Sequence, residues 1–196
     1  MRAPATAVAA AVSAAVWIAI VASPIAHAKP WRGGLELALG SYRSHSSATG
    51  RIRGGGLGVA GFVERQLPNP QWAIRAELTS EVFGNLTVRT GELEATLKDA
   101  GLLAGGLWVG ASWRPRSTWV FAGAVGITRS LYFSPTSVGD SDVAPGLLVS
   151  GEWLFTAARF WRLGLVGRLT LAADSEPGGT RMSMTPMLGL RVTLGH

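Results

Sequence analysis

Cysteine is absent from the 196 residues, which excludes disulfide staples, thiolate nucleophiles and cysteine-ligated metals together. Long apolar runs are nearly as scarce. Beyond the first 28 residues no stretch approaches the roughly 20 consecutive apolar residues of a transmembrane helix. A membrane-spanning reading must therefore close its backbone hydrogen bonds between strands. A concentrated basic patch is also missing. The formal net charge of +6 invites a nucleic-acid reading, but the arginines are spread singly along the chain, and that reading is set aside. Histidine is rare as well: of three, His27 lies in the N-terminal segment and His196 is terminal, which leaves His45.

What is present begins with an export signal. Arg2 supplies a positive start, Val8 to Val21 an apolar core around Trp17 and Ile20, and Ala26-His27-Ala28 the small residues two apart that a signal peptidase site requires. Cleavage after Ala28 is expected, so residues 1–28 are a signal peptide and 29–196 a single domain of 168 residues with net charge +5. An uncleaved anchor is the weaker alternative, because the apolar run is short for a span.

Period-two patterning fills the rest. In the last segment Met184, Pro186, Leu188, Leu190, Val192 and Leu194 alternate with Ser183, Thr185, Met187, Gly189, Arg191 and Thr193, the signature of a strand with two unlike faces. Eight such segments are expected near 34–43, 56–66, 72–79, 96–113, 118–129, 146–155, 160–172 and 182–194. Tight connections at 67–71, 114–117 and 156–159 alternate with longer polar ones at 44–54, about 80–94 and 130–145, and an intermediate one at 174–181. The third and fourth strands are expected to extend into a tall hairpin, because Val82, Leu86, Val88, Leu93 and Leu97 remain patterned. Short periplasmic turns alternating with long outer loops predict an all-β fold, an eight-stranded antiparallel up-and-down transmembrane β-barrel with both termini periplasmic.

The faces divide by chemistry. Leu37, Leu57, Ile74, Leu107, Val125, Val149, Leu165 and their period-two neighbours form a lipid-facing set, whereas Glu36, Glu64, Arg75, Glu77, Glu152, Arg162, Arg168 and Arg191 fall on the other side. Buried charges are costly unless paired. Four glutamates and four arginines inside a barrel just wide enough for side chains predict an interlocked lumen without an open channel. The inverse arrangement, a soluble lipocalin-like carrier with the apolar face inside, remains open at this stage. Trp31, Trp72, Trp113, Trp119 and Trp161, with Phe155 and Phe160, cluster at the short-turn end as a periplasmic aromatic girdle. Tyr42, Phe83, Tyr132 and Phe133 are candidates for the opposite interface.

Gly189-Leu190-Arg191-Val192-Thr193-Leu194 resembles the C-terminal assembly signal of outer-membrane barrels, although a terminal Phe is lacking and Gly195 and His196 follow. With the export signal, eight strands and short turns, the chain resembles the small OmpA-like and OmpX-like barrel families. The resemblance implies an outer-membrane location, contact with outer-membrane lipid and lipopolysaccharide, insertion by the barrel-assembly machinery through Gly189, Val192 and Leu194, a monomer, and no cofactor.

Such families include passive or adhesive barrels and a few lipid A-modifying enzymes. For catalysis only His45-Ser46-Ser47 offers a base beside a nucleophile, and adjacent strand residues point to opposite faces. For metal, Asp140, Asp142, Asp174 and Glu176 are outer-rim carboxylates. Arg43, Arg51, Arg53, Arg129 and Arg181 could meet phosphates near that rim. The expectation is a non-enzymatic barrel whose outer loops hold its specificity.

Overall fold

A computed structural model describes residues 31–195 apart from 49, 135–137, 141, 142, 158–160, 177 and 178, and without the side chains of 138, 140, 156, 157 and 176. The expected signal peptide, Phe160 and His196 lie outside the described residues. Eight long strands and one short strand make one antiparallel sheet: β1 (Trp31–Ser46), β2 (Gly50–Gln66), β3 (Trp72–Thr90), β4 (Leu93–Arg116), β5 (Trp119–Phe133), β6 (Val138–Asp140), β7 (Ala144–Ala157), β8 (Trp161–Glu176) and β9 (Gly179–Leu194). The three-residue β6 only extends the β5–β7 connection by pairing with β5. The long strands pair in chain order, and β9 pairs back onto β1, so the sheet closes into a barrel.

The pairing register fixes the barrel's shape. Following directly opposite partners from Gly33 through Val63, Ala76, Val109, Val125, Leu147, Leu171 and Met184 returns to β1 at Arg43, ten residues along. With eight strands this stagger gives a strand tilt of about 40°. Such a barrel holds side chains and little else.

Both described chain ends and the tight turns lie at one end of the barrel. There the backbone of Leu67 donates to the Trp72 carbonyl, and the Asn69 side chain accepts from the Gln71 backbone in an Asx-type turn between Pro68 and Pro70. The other end is tall. Strands of 14 to 24 residues exceed the 9–11 needed to cross a bilayer, and the excess lies at this end. The polar loop expected at 44–54 is instead continued strand, and across 80–94 β3 and β4 extend into the tall hairpin expected from Val82, Leu86, Val88, Leu93 and Leu97. Only residues 47–49 separate β1 from β2, and only Gly91 and Glu92 separate β3 from β4. Polar residues such as Thr87 and Thr96, hydrogen-bonded to each other at 3.2 Å, pair as readily as apolar ones once a neighbour is aligned.

A bulge in β3 marks where this extension begins. Asn85 has φ of +52°, between Gly84 and Leu86 where the register with β4 shifts. Asn tolerates the left-handed region better than most residues. The step reverses the alternation: Glu81 and Phe83 point inward below it and Leu86 above it.

Candidate functional site

The outward face is apolar through the middle of the barrel. Leu37, Leu39 and Val125 are 64, 63 and 66% exposed, and Leu57, Ile74, Leu107, Val149 and Leu165 also point away from the axis. A continuous apolar band of this kind is foreign to a soluble monomer. The carrier arrangement, with leucines enclosing a ligand cavity, is thereby excluded.

At the turn end the band is bordered by rings. Trp72 and Trp113 are directly opposite and stacked at 6.2 Å, Trp113 continues to Phe121 at 6.0 Å, and Trp119 lies parallel to Phe121 at 6.0 Å. Trp153, opposite Trp119, touches Phe155 at 5.9 Å, and Trp161 begins β8 on the same outer face. Trp31 is half-buried beneath the Arg65 guanidinium, 5.8 Å from its ring. At the tall end Tyr42 and Phe83 are not interface residues. Both turn inward, 3 and 0% exposed, and their rings lie 5.6 Å apart. An even position on β1 and a position below the β3 bulge both face the axis.

The lumen has two tiers. Nearer the turn end is a lattice of five carboxylates, Glu36, Glu64, Glu77, Glu81 and Glu152, and five guanidiniums, Arg32, Arg75, Arg114, Arg168 and Arg191. Arg191 reaches Glu36 at 2.5 Å, Glu152 at 3.3 Å and Glu77 at 3.7 Å. Arg168 reaches Glu81 at 2.9 Å and both Glu36 and Glu77 at 3.5 Å. Arg75 pairs with Glu77 at 2.7 Å and lies over the Phe62 ring at 3.8 Å. Glu64 takes Arg114, Ser112 and, at 4.0 Å, Arg32. Equal numbers of opposite charges, several shared between partners, are what lets them remain buried.

Membership differs from the sequence expectation at four positions. Arg162 lines the turn-end mouth beside Arg32, Arg114 and Glu152 and joins none of these ion pairs. Glu81, Arg32 and Arg114 join instead. Glu81 lies in the segment read as loop, Arg32 precedes the expected first strand, and Arg114 belonged to a turn.

Above the lattice lies an apolar plug that sequence reasoning missed. Tyr42, Ile52, Phe83, Leu86, Leu102 and Met187 pack together. Below them Trp108 turns into the lumen along the β5–β7 wall and donates to the Thr79 hydroxyl at 3.1 Å. Its ring occupies a recess cut by glycines: a Cβ at Gly126 or Gly146 would come within 2.8 or 2.9 Å of it, and the register sets Trp108, Gly126 and Gly146 in one row. At the tall mouth Arg181 turns inward to donate to the Tyr132 hydroxyl at 2.8 Å, and that hydroxyl meets Tyr42 at 3.0 Å.

The catalytic and metal candidates do not assemble. His45 is exposed and Ser46 is buried on the opposite face. Asp174 lines the tall mouth with Arg181 and Tyr132, while Asp142 and the side chains of Asp140 and Glu176 lie outside the described residues. Among the described residues no three carboxylates or histidines come together to hold a metal. In the final strand Val192 and Leu194 lie on the outer face, and Gly189 sits on the inner face against Ala38.

No protein-family model matches the chain, and no curated protein matches it in sequence. Its fold is similar to solved barrels. Neisserial surface protein A is 12% identical with a TM-score of 0.54, covering 85% of this chain and 97% of that one. Ail, the attachment invasion locus protein of Yersinia pestis, in its complex with the heparin analogue sucrose octasulfate, is 11% identical with a TM-score of 0.51, covering 84% and 99%. At such identities the likeness is one of fold, that of the small eight-stranded outer-membrane β-barrels.

Proposed function

We propose that the chain is a monomeric, integral outer-membrane β-barrel without enzymatic activity, serving a structural or interaction role through its tall end. One observation carries the reading: a closed barrel that is apolar outside, belted by tryptophan at one end and filled by paired charges inside. This distribution is stable only when the outer face meets lipid. The tryptophan end, with both described chain ends, is assigned to the periplasm, and the tall end to the cell exterior.

The remaining assignments follow from export. Residues 1–28 direct the chain through the inner membrane and are removed. The final strand, with Gly189, Val192 and Leu194, is read by the barrel-assembly machinery before its edges are closed by β1 and β8. Outer-membrane lipid and lipopolysaccharide surround the folded barrel, and no nucleic-acid partner is assigned.

The test is fractionation with gel migration. Isolated outer membranes should contain a chain lacking residues 1–28 that migrates faster unheated than boiled, as a compact detergent-resistant barrel does. A protein released with the soluble periplasm and indifferent to heating would overturn the reading. Mass spectrometry of lipid A from deletion and overexpression strains addresses enzymatic activity, with unchanged lipid A as the expected result.

A further inference from the structure

Above the apolar band the outer face of β1, β2 and β3 carries four arginines that the strand register sets side by side. Arg43 is directly opposite Arg53, His45 opposite Arg51, and Arg51 opposite Arg89. All five side chains are exposed, whereas Tyr42, Ser44 and Ile52, which alternate with them, are buried. They therefore face sideways, on the same surface as Leu39 and Leu57.

Directly opposite residues lie about 4.5 to 5.5 Å apart at Cα, so four guanidiniums share a patch about 10 Å wide. Like charges in this register oppose pairing. Relief from within the protein is slight. None of the described ion pairs involves Arg43, Arg51 or Arg53, and Glu94 opposite Arg89 is the one carboxylate in register with the four. The lumen, by contrast, matches its buried charges one for one. An arrangement that leaves cations adjacent and accessible is completed by an external anion.

The surface beneath narrows the choice of anion. One row below the arginines stand Ser41, Gly55 and Gly84, in register across the three strands. A Cβ added at Gly55 or Gly84 would meet nothing within 4 Å, so this row is a shallow open shelf. The next row down is Leu39, Leu57 and Val82. Charge, shelf and apolar wall follow one another along about 20 Å of strand, from Arg51 to Leu57. The molecule that fits has a phosphorylated head, a sugar-sized middle and acyl chains. A soluble polyanion would use the charge and leave the wall unmatched.

We propose that Arg43, Arg51, Arg53 and Arg89 form a clamp for the phosphate groups of an outer-leaflet glycolipid of the lipid A class, with guanidinium forks donating to the phosphate oxygens. The clamp rests on the outer-membrane reading and on placing the tall end outward. Arg129, on β5, and Arg181, turned into the mouth, take no part.

The test uses the mature chain folded into phosphatidylcholine bilayers containing bisphosphorylated lipid A, dephosphorylated lipid A or neither, with R43Q/R51Q/R53Q/R89Q as the variant. Native mass spectrometry after detergent extraction reads bound lipid, and urea unfolding reads linkage. Wild type should retain bisphosphorylated lipid A at least about tenfold more than the variant does, should not retain the dephosphorylated form, and should resist urea better when bisphosphorylated lipid A is present. In phosphatidylcholine bilayers without bisphosphorylated lipid A the variant should be no less stable than wild type, since losing the four arginines removes their mutual repulsion. Equal retention by both proteins, or equal retention of both lipids, overturns the clamp. Heparin or inorganic phosphate displacing lipid A from wild type at equal phosphate or sulfate concentration would transfer the site to a soluble anion and overturn the lipid assignment. Heat-modifiable folding in every bilayer with no lipid preference sinks the clamp alone, whereas failure to fold in any bilayer sinks the barrel reading.

Discussion

Arg191 and Glu36 are directly opposite each other across the seam where the last strand meets the first, and their side chains join inside the barrel at 2.5 Å. The pair is 155 residues apart in sequence, so it forms only when the sheet closes in the correct register. A shift of one residue would turn either side chain out toward lipid. Arg191 also holds Glu77 and Glu152, which makes it the most shared cation of the lattice.

Sharing sets an order of mutational cost. Arg191→Leu leaves three buried carboxylates short of a partner and should destabilise the barrel by about 3 to 5 kcal/mol or more. Glu152→Gln should cost less, about 1 to 3 kcal/mol, because Arg191 keeps Glu36 and Glu77 and the amide still accepts a hydrogen bond. Glu92→Gln, in the hairpin tip, should stay within about 0.5 kcal/mol. Urea unfolding in lipid bilayers measures all three. Equal midpoints for Glu152→Gln and Glu92→Gln would mean that the inner charges are solvated.

Lipid contact is checked on the opposite face. Val125→Arg and Leu165→Arg place a charge in the apolar band and should each cost about 2 to 4 kcal/mol. Thr96→Arg, on the hairpin beyond the band, should be tolerated. If all three unfolded alike in bilayers, the band would not be the membrane-facing surface.

The bulge supplies a local test. Asn85→Gly should be nearly neutral and Asn85→Val destabilising by about 1 kcal/mol or more, because a β-branched residue resists positive φ. The difference is read from the same urea midpoints. Val and Gly behaving alike would place the register shift elsewhere.

How far the chain could be read in advance depends on which physical signals are local. Alternation is local, so the order of residues alone sets Leu37 and Glu36, or Leu190 and Arg191, on opposite faces. The Asn85 bulge is not, since one inserted residue reverses the alternation beyond it without a local signal, whereas Glu81 and Phe83 keep the inward parity of Arg75 and Glu77 and are hidden only by the reading of 80–94 as loop and of Phe83 as an interface ring. The partnership of Glu81 with Arg168 spans 87 residues, and nothing in either neighbourhood announces it. Trp108 alternates inward between Leu107 and Val109, but the space for its ring shows only beside the Gly126–Gly146 row of the neighbouring strands. The row is visible in sequence as glycines in two segments, but only the register makes it a recess.

Conductance tests the two-tier lumen as a whole. A water-filled path would have to pass the plug around Phe83 and Leu102, then Trp108, then the lattice in which Arg168 and Arg191 bridge Glu36, Glu77 and Glu81 or Glu152. Each tier spans the interior of an eight-stranded barrel that has room for little beyond side chains. Purified protein in planar bilayers should therefore give no stable porin-sized current. Trp108→Ala should destabilise by about 3 to 5 kcal/mol through the cavity it leaves, yet conduct no better, because the lattice below remains closed and its charges stay paired. A steady large current from wild type would require a wider or oligomeric barrel. A current appearing only in Trp108→Ala would assign the seal to the indole ring and make the ion-pair lattice permeable to water and ions.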